Sequence, residues 1–392
     1  MKLKIPYGIN NYEEIISKDY YYADKTKFIE RLEEFPAKYI MFMRPTKFGK
    51  TLLTSMLENY YDKNKADKFK ELYSNTYIGE NPTKEKNKYC ILKFNFSGID
   101  TTNKETTITD FKNRTIEAIM LFTQKYKLDF YINKEKEAEE ILNEVLKAFY
   151  IQKPNEKIYV IIDGYDCYAN ELLKMQTEDL KNLQVKNQKI IIWYEVLKEG
   201  TETVIDRIFI TGEVPINLDR LTSGFNIGID ITKDEEFNEM LGFTREELKE
   251  ILNNQDISIE EQEKIVQIMQ ENYGGYKFSI KAENQIYNPN MCLYFLSKYI
   301  KLGKIPEKLT DTNIAKDYRI NLYKEKNKPE ILKKTEQGKT ILSDIVEKIN
   351  PEIEFTEVEI ISMLYYLGYL TISGEELGIP ELRIPNKTMQ EI

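Results

Sequence analysis

The amino-acid sequence predicts an α/β fold in which helices cover both faces of a parallel β-sheet. Two observations lead to this prediction. Short runs of apolar, β-prone residues alternate along the chain with longer segments whose apolar residues recur at helical spacing. Several of the short runs have no polar face, which is typical of strands buried on both sides in a parallel sheet. Strands are predicted at residues 39–43, 89–96, 159–162 and 204–210, and helices at 106–126 and 136–150.

The size and charge of the chain limit what it can do. Its 392 residues exceed one typical domain, so two or three structural units are expected. Its formal net charge is −9, and the chain as a whole therefore lacks the basic surface that neutralises the phosphates of a nucleic acid. Binding of nucleic acid by this chain alone is not expected.

The residue types also exclude several kinds of site. The sequence contains no histidine, which rules out Ser–His and Cys–His nucleophiles, histidine general bases and histidine metal ligands. Cys90, Cys167 and Cys292 are far apart, which argues against a disulfide framework or a clustered zinc site. No run approaches the ~18 apolar residues of a membrane span, and the first residues lack a signal-type segment, so a cytoplasmic protein is expected.

The stretch that says most about chemistry is KYIMFMRPTKFGKTLLTSML, residues 38–57. Its pattern predicts a strand, a phosphate-binding loop and a helix. In such a loop, backbone N–H groups and the positive end of the helix dipole attract phosphate, Lys50 adds a mobile cation, and the Thr51 hydroxyl can bind Mg²⁺. The positive electrostatic field of such a loop suits a nucleoside triphosphate. The residues expected to contact it are Arg44, Pro45, Thr46, Lys47, Phe48, Gly49, Lys50, Thr51 and Leu52.

The match to the usual G-x-x-x-x-G-K-[ST] pattern is incomplete, because Arg44 stands at the position of the first glycine. The alternative is a helix N-terminus that carries an ordinary surface lysine. Two polar strand ends favour the nucleotide site. The strand in KIYVIIDGYD ends at Asp163, where nucleotide-binding proteins of this type place the carboxylate that holds Mg²⁺ through water. The strand in VIDRIFITG ends at Thr211, which would lie near the γ-phosphate if the two strands are neighbours. For Asp163, capping of the next helix is the alternative.

The segment before the first strand contains YYADKTKFIE and predicts a helix that Asp24 is placed to cap. One interpretation is that this segment covers an edge of the sheet. The other is that residues just before the first core strand contact the base of the nucleotide.

Helical patterns dominate after the predicted sheet. Thr244 and Ser258 are each followed three residues later by a glutamate, as in a capping box, and predict two helices of a small lid on the sheet domain. The predicted units are a nucleotide-binding core, a helical lid and a C-terminal module, at residues 1–235, 236–310 and 311–392.

The pattern of the C-terminal module predicts two helices followed by a hairpin. The helices are predicted at 340–349 and 358–367, and the strands at 369–372 and 382–385. This order suggests a winged-helix-like module. Because the module is mostly acidic, packing against protein is favoured over binding of DNA.

With these residues in view, the chain resembles the AAA-ATPase-like family, a mostly bacterial family whose members often carry a C-terminal PD-(D/E)XK nuclease-like domain. The resemblance runs nearly from end to end and rests, in order, on IPYGINNYEEI, YYADKTKFIE, FMRPTKFGKTLLTSML, LKFNFSGID, VIIDGYD, RIFITGEVPINLDRLTSGFNI, YGGYKFS, YNP, GYLTI and LRIPN. It implies a P-loop NTPase fold that binds ATP and Mg²⁺, with Lys50 and Thr51 as the phosphate and metal residues and Asp163 as the acid near the metal. Members commonly read R-P-R-R-F-G-K-S at the loop, so Arg44 fits the family pattern.

The sequence departs from that family at the second acid. The family's D-E-Y-D is here Asp163-Gly164-Tyr165-Asp166, so a glycine replaces the glutamate that polarises the attacking water. Loss of a general base typically slows a step by about 10²–10⁴-fold. Asp166 is the nearby acid that would partly substitute. The candidate catalytic residues are therefore Lys50, Asp163, Asp166 and Thr211.

The expected function is ATP binding with weak or absent hydrolysis, in a protein that acts as a nucleotide-dependent switch. The alternative is an interaction scaffold of the same fold that has lost nucleotide binding and holds partner proteins. The sequence ends at Ile392, about where the nuclease-like domain of the family would begin, so this chain is not expected to cut nucleic acid. Besides the nucleotide, a protein partner or a separate nuclease domain is the expected kind of partner.

Overall fold

The computed structural model describes residues 2–99, 104–166, 180–216, 226–311, 331, 335, 339–349 and 355–391. A five-stranded parallel β-sheet forms its centre, in the order β2-β3-β4-β1-β5. The strands are β1 Tyr39–Met43, β2 Cys90–Asn95, β3 Ile158–Asp163, β4 Ile205–Gly212 and β5 Ile229–Asp230. The predicted α/β fold of a P-loop NTPase, with its parallel sheet, is confirmed.

The register of the strands brings the predicted site residues to one edge of the sheet. Strand β4 lies between β1 and β3, and it pairs Gly212 with Met43 and Thr211 with Asp163. Because the strands are parallel, the loops that follow them open on the same side. The condition stated for Thr211, that the strands ending at Asp163 and Thr211 are neighbours, is therefore met.

Both faces of the sheet are buried. Along β3, Tyr159 and Ile161 belong to one hydrophobic core, whereas Val160 and Ile162 belong to the other. Successive side chains of a strand point to opposite faces, so a strand between two cores needs an uninterrupted apolar run. This is why the sequence of β3 lacks a polar face.

The α-helices surround this sheet and continue beyond it. Those along the sheet are α1 Tyr12–Ser17, α2 Lys27–Glu34, α3 Lys50–Tyr61, α4 Phe69–Tyr73, α5 Tyr77–Glu80, α6 Lys104–Lys125, α7 Ala138–Gln152 and α8 Leu180–Thr201. Those that follow are α9 Arg245–Asn254, α10 Ile259–Tyr273, α11 Pro289–Leu302, α12 Glu357–Tyr366 and α13 Lys387–Glu391. Within the described residues, no helix is long and apolar enough to cross a lipid bilayer.

A second, antiparallel sheet lies in the C-terminal part of the chain, in the order β6-β8-β7. Its strands are β6 Ile341–Leu342, β7 Thr371–Glu376 and β8 Ile379–Arg383. The predicted hairpin is confirmed, and its turn is Leu377-Gly378, where both residues have positive φ (53° and 83°), as two-residue type I′ turns require. Helix α12, with a capping box at Thr356, confirms the helix predicted at 358–367.

The helix predicted at 340–349 is wrong. Residues 341–342 form β6, which pairs with β8, and residues 343–349 contain no helix. Pairing with a strand some forty residues away thus overrides the helical spacing of the apolar side chains. The winged-helix-like interpretation stays a prediction, and residues 312–330 of the predicted module lie outside the described residues.

The structure confirms some of the predicted helix caps and contradicts one. The capping box at Thr244 is confirmed, and Ser258 caps α10 by accepting a hydrogen bond from the N–H of Glu261. Capping of α2 by Asp24 is wrong, because the N-cap is Thr26.

Asp24 instead ties the start of α2 to the start of α5. Its Oδ1 accepts hydrogen bonds from the N–H and the hydroxyl of Thr26, at 2.9 and 2.7 Å. Its Oδ2 accepts from the N–H of Tyr77, at 2.7 Å. The partner at residue 77 is distant in sequence, so the pattern around Asp24 could not indicate this role.

The C-terminal part packs against the sheet edge that carries the predicted site. The N–H of Ile349 donates to the carbonyl of Pro215 at 2.8 Å, just after β4. Gly368, which follows α12, has φ +83°, and a Cβ added there would lie 2.9 Å from Cγ of Pro45. The phosphate-loop region and the C-terminal part are therefore in direct contact.

Candidate nucleotide-binding site

The loop between β1 and α3 has the backbone of an anion-binding turn. Lys47 and Gly49 both have positive φ, 63° and 99°. Left-handed residues in a tight turn direct neighbouring N–H groups to one side, as in the concave nests that bind phosphate. Glycine suits position 49 because it adopts this conformation without the steric cost that a Cβ brings.

The N-terminus of α3 continues this positive field. Helix α3 begins at Lys50, and its N-cap Gly49 has no side chain to satisfy the N–H groups of the first turn. The first turn contains no acidic residue that would neutralise the helix dipole. The loop and the helix therefore retain the field that a phosphate group needs.

The ammonium group of Lys50 is held by protein atoms. It donates hydrogen bonds to the carbonyls of Arg44 and Pro45, at 2.9 and 3.0 Å, and lies 3.5 Å from Oε1 of Glu213. The side chains of Lys50 and Glu213 are 11% and 27% exposed. Sequence reasoning missed Glu213, although the signal was an acid directly after the strand end Thr211-Gly212.

The side chain of Arg44 turns away from the loop. It is buried, and its guanidinium donates hydrogen bonds to the carbonyls of Thr232 and Phe237, each at 2.9 Å. The guanidinium also lies between the rings of Phe42 and Phe278, at 4.2 and 4.3 Å from their centroids. Burial lowers the pKa of Arg44 to about 9. The predicted nucleotide contact at this position is therefore restricted to its backbone.

The surroundings of Asp163 are compatible with its predicted role near a metal ion. Its side chain is buried at the end of β3, and its Oδ2 has no hydrogen-bond partner among the described residues. A buried carboxylate oxygen without a partner costs free energy, which a metal ion or its water would recover. Mg²⁺ prefers oxygen ligands of this kind, so the carboxylate of Asp163 fits a magnesium ion, and the role of the Thr51 hydroxyl at the start of α3 stays a prediction.

Thr211 lies beside Asp163 on the neighbouring strand. Its buried hydroxyl donates a hydrogen bond to the carbonyl of Phe42, at 2.7 Å. This bond links the end of β4 to β1 and commits the hydroxyl hydrogen to the backbone. The role of Thr211 near the γ-phosphate stays a prediction.

Asp166 is used to hold the backbone that follows β4. Its Oδ2 accepts hydrogen bonds from the N–H groups of Glu213 and Val214, at 2.8 and 2.9 Å. Burial and, second, the negative charge of Glu213 raise the pKa of Asp166 to about 6. The structure thus gives Asp166 a positioning role, and its substitution for the missing glutamate stays a prediction.

Gly164 occupies a backbone position that suits glycine. Its φ is +74°, and a Cβ added there would lie 2.7 Å from the backbone nitrogen of Ser97. A glutamate at this position would need a change of φ or a shift of the loop after β2. The backbone around residue 164 is therefore adapted to the absence of the family's glutamate.

A cavity of about 240 Å³ adjoins the phosphate loop. Three regions form its wall: the N-terminal segment, the loop with the start of α3, and the residues at α9 and α11. They contribute, among others, Ile9, Tyr22, Lys25, Lys47, Leu52 and Leu293. The N-terminal segment thus lines a cavity beside the loop, and its contact with the base of a nucleotide stays a prediction.

Lys25, which lines this cavity, forms a largely buried ion pair with Glu247. Nζ of Lys25 lies 2.6 Å from Oε1 of Glu247, which is also the capping-box glutamate of α9. Burial lowers the pKa of Lys25, and the charge of Glu247 opposes this effect. The pair joins the N-terminal segment to α9 across the cavity wall.

None of the curated proteins matches the chain. Among solved structures, the chain is similar to the ORC2 protein of Aeropyrum pernix, solved as ADPNP–ADP complexes, with 12% sequence identity and a TM-score of 0.38 over 96% of this chain and 95% of that chain. This likeness is too distant to support an argument about fold or function.

A family model described as predicted AAA-ATPase matches residues 6–222, more than half of the 392 residues. The match includes the phosphate loop, Asp163 and Thr211, which the fold brings to one edge of the sheet. The chain therefore belongs to the predicted AAA-ATPase family of nucleotide-binding P-loop NTPases.

Proposed function

We propose that the chain binds ATP together with Mg²⁺, with the phosphates on the loop between β1 and α3 and the metal between Thr51 and Asp163. The observation that supports this most directly is the buried Oδ2 of Asp163, which lacks a partner among the described residues. It stands at the end of β3, two strands from the loop on the same edge of the sheet. A carboxylate in this state is costly in a protein that makes no use of it.

The cavity beside the loop is the proposed place of the base. Its wall combines an aromatic ring, Tyr22, with aliphatic side chains such as Leu52 and Leu293. A flat heterocycle suits a mostly apolar wall with few polar groups. The cavity also shares Lys47 and Gly49 with the phosphate loop, so one ligand would span both.

We further propose that hydrolysis is weak or absent. Gly164 supplies no carboxylate, and its backbone leaves no room for a side chain without a shift. The nearest alternative, Asp166, has one oxygen committed to two backbone N–H groups. Phosphate release from saturating ATP should therefore be at least about 100-fold slower than a typical enzymatic turnover of about 10 s⁻¹. Turnover near 10 s⁻¹ would contradict this part of the proposal.

The contacts of the loop support a role as a nucleotide-dependent switch. Pro45 touches the C-terminal part at Gly368, and the residues after Glu213 bond to Ile349. A change in the loop on binding of ATP would therefore reach the C-terminal part, where a protein partner is expected to bind.

Titration calorimetry with ATP and Mg²⁺ tests the binding. The unmodified chain should bind, and Lys50→Ala should lose at least about tenfold in affinity, because a charged donor to phosphate contributes about 1.5–3 kcal/mol. Lys264→Ala is the matched control, since this lysine lies on the surface of α10 with 68% of its side chain exposed. Equal affinities of the unmodified chain and Lys50→Ala, or no heat in either, would contradict the proposal.

One observation favours the alternative, an interaction scaffold without nucleotide binding. Lys50 already has two carbonyls and a carboxylate as partners, so the loop is electrostatically satisfied without a phosphate. In that case ATP and Mg²⁺ would leave the melting temperature unchanged. A ligand present at 100 times its Kd stabilises the folded state by about 2.7 kcal/mol, so the two functions are readily distinguished.

A further inference from the structure

The ion pair between Lys50 and Glu213 has no part in the nucleotide contacts proposed above. It joins the lysine of the phosphate loop to an acid that directly follows β4, with 3.5 Å between Nζ and Oε1. Both side chains are largely buried, so solvent screens their attraction less than it screens a surface pair. The pair is therefore a substantial part of the environment of Lys50.

Backbone hydrogen bonds hold Glu213 in its position after β4. Its N–H donates to Asp166, and the carbonyl of the preceding Gly212 accepts a hydrogen bond from the N–H of Arg44, at 3.1 Å. Strand β4 lies between the phosphate loop of β1 and Asp163 of β3. The carboxylate of Glu213 thus stands between the loop and the metal-proximal acid, where the terminal phosphate of a nucleotide would come.

Of the partners of Lys50, Glu213 is the one that can leave. An ammonium group has three donors, and two of them point to the carbonyls of Arg44 and Pro45. These carbonyls belong to a backbone that the buried guanidinium of Arg44 anchors. The Glu213 side chain has rotatable bonds and is 27% exposed, so it can move into solvent.

We propose that Glu213 competes with the terminal phosphate for Lys50 and thereby sets the preference of the site between nucleoside triphosphate and diphosphate. The inference rests on the proposed binding of ATP. A loop lysine of this kind reaches the β- and γ-phosphates. A triphosphate must displace the carboxylate and also meets its charge, whereas a diphosphate reaches Lys50 only with its β-phosphate and lacks the γ-phosphate that comes closest to Glu213. Glu213 therefore penalises the triphosphate selectively.

The variant Glu213→Gln tests this inference. Its affinity is measured for two probes, each with Mg²⁺. One probe is the non-hydrolysable β,γ-imido analogue of ATP, and the other is ADP. The neutral amide should strengthen binding of the triphosphate analogue by about tenfold, the size expected when a partly buried opposing charge is removed. Binding of ADP should change by less than about twofold. Glu213→Asp, whose shorter side chain reaches less far toward Lys50, should act in the same direction with a smaller effect.

Glu260→Gln is the control for net charge, since Glu260 lies on the surface of α10 with 83% of its side chain exposed. It should leave both affinities unchanged, and melting curves without ligand verify that each variant is folded. Equal changes for both probes, or unchanged or weaker binding of the triphosphate analogue, would overturn the inference while leaving ATP binding intact. If the unmodified chain and all variants bind neither probe, the proposed function fails, and the inference falls with it.

Discussion

The C-terminal ends of β1 and β3 carry the two halves of the candidate site, and they differ in what their polar groups do. After β1, Lys47 and Gly49 have positive φ and α3 begins without a side-chain cap, so the backbone conformation and the helix dipole favour an anion. After β3, Asp163 keeps an oxygen without a partner among the described residues, but Gly164 and Asp166, which follow it, are engaged in structural contacts. Gly164 fits closely against Ser97, and Asp166 holds the backbone after β4.

This difference shows that binding and turnover depend on separate parts of one sheet edge. Phosphate binding uses mainly backbone groups and one lysine, which many side-chain changes leave intact. Hydrolysis needs a carboxylate at one particular position. A chain can therefore lose the second capacity and keep the first.

The largest expected effect concerns the structural support of the β1 end. Arg44→Ala should lower the free energy of unfolding by about 3–5 kcal/mol, because it removes the guanidinium hydrogen bonds to buried carbonyls, including those of Thr232 and Phe237, and opens a cavity between two rings. Urea unfolding measures this loss. Arg245→Ala, on the exposed surface of α9, is the control and should cost less than about 1 kcal/mol. Similar losses in both variants would show that Arg44 does not anchor the loop.

The second effect tests the structural use of Asp166 at the β3 end. Its pKa of about 6 in the folded state exceeds the ordinary value of 3.8, so the folded state holds the proton more tightly than the unfolded state does. The contribution of Asp166 to stability should therefore decline as the pH rises from about 4 to about 6, by up to about 3 kcal/mol. Asp166→Asn stays neutral and should lack this decline. Parallel stability profiles of the two proteins, from urea unfolding between pH 4 and 7, would refute this assignment.

The smallest effect measures how tightly Gly164 is packed. Gly164→Ala should destabilise the chain by about 2 kcal/mol, because it places a Cβ on a residue whose φ is positive and brings that Cβ within 2.7 Å of the backbone of Ser97. Gly378→Ala is the matched control, since Gly378 has φ +83° with no atom within 4 Å of the added Cβ. It should cost about 1 kcal/mol for the backbone alone. If the two variants lose equal stability in thermal unfolding, the contact with Ser97 does not constrain residue 164.

The central sheet could be predicted from the sequence because its signals are local. Strand β3 is a continuous apolar run that ends in a polar residue, and the phosphate loop lies between a strand and a helix whose patterns are clear within twenty residues. The positions of Lys50, Asp163 and Thr211 at one edge follow once the strands are known to be parallel. These parts needed no knowledge of distant contacts.

The features that the sequence did not reveal depend on distant partners. The guanidinium of Arg44 bonds to carbonyls at residues 232 and 237, almost two hundred positions away. Strand β6 is two residues long and exists because β8 pairs with it. The acid at Glu213 was visible in the sequence, but only the register of β4 and the direction of its side chain show that it reaches Lys50.

The close approach of Gly368 to Pro45 has a consequence for any partner that grips the C-terminal part. No atom larger than hydrogen fits on the α-carbon of Gly368 without pressing on the proline ring. If nucleotide binding shifts Pro45, it changes the affinity for a partner that holds residue 368. The partner must then change the affinity for the nucleotide by the same factor, because thermodynamic coupling between two binding events is reciprocal. The partner would then act as an effector of the loop as well as its target.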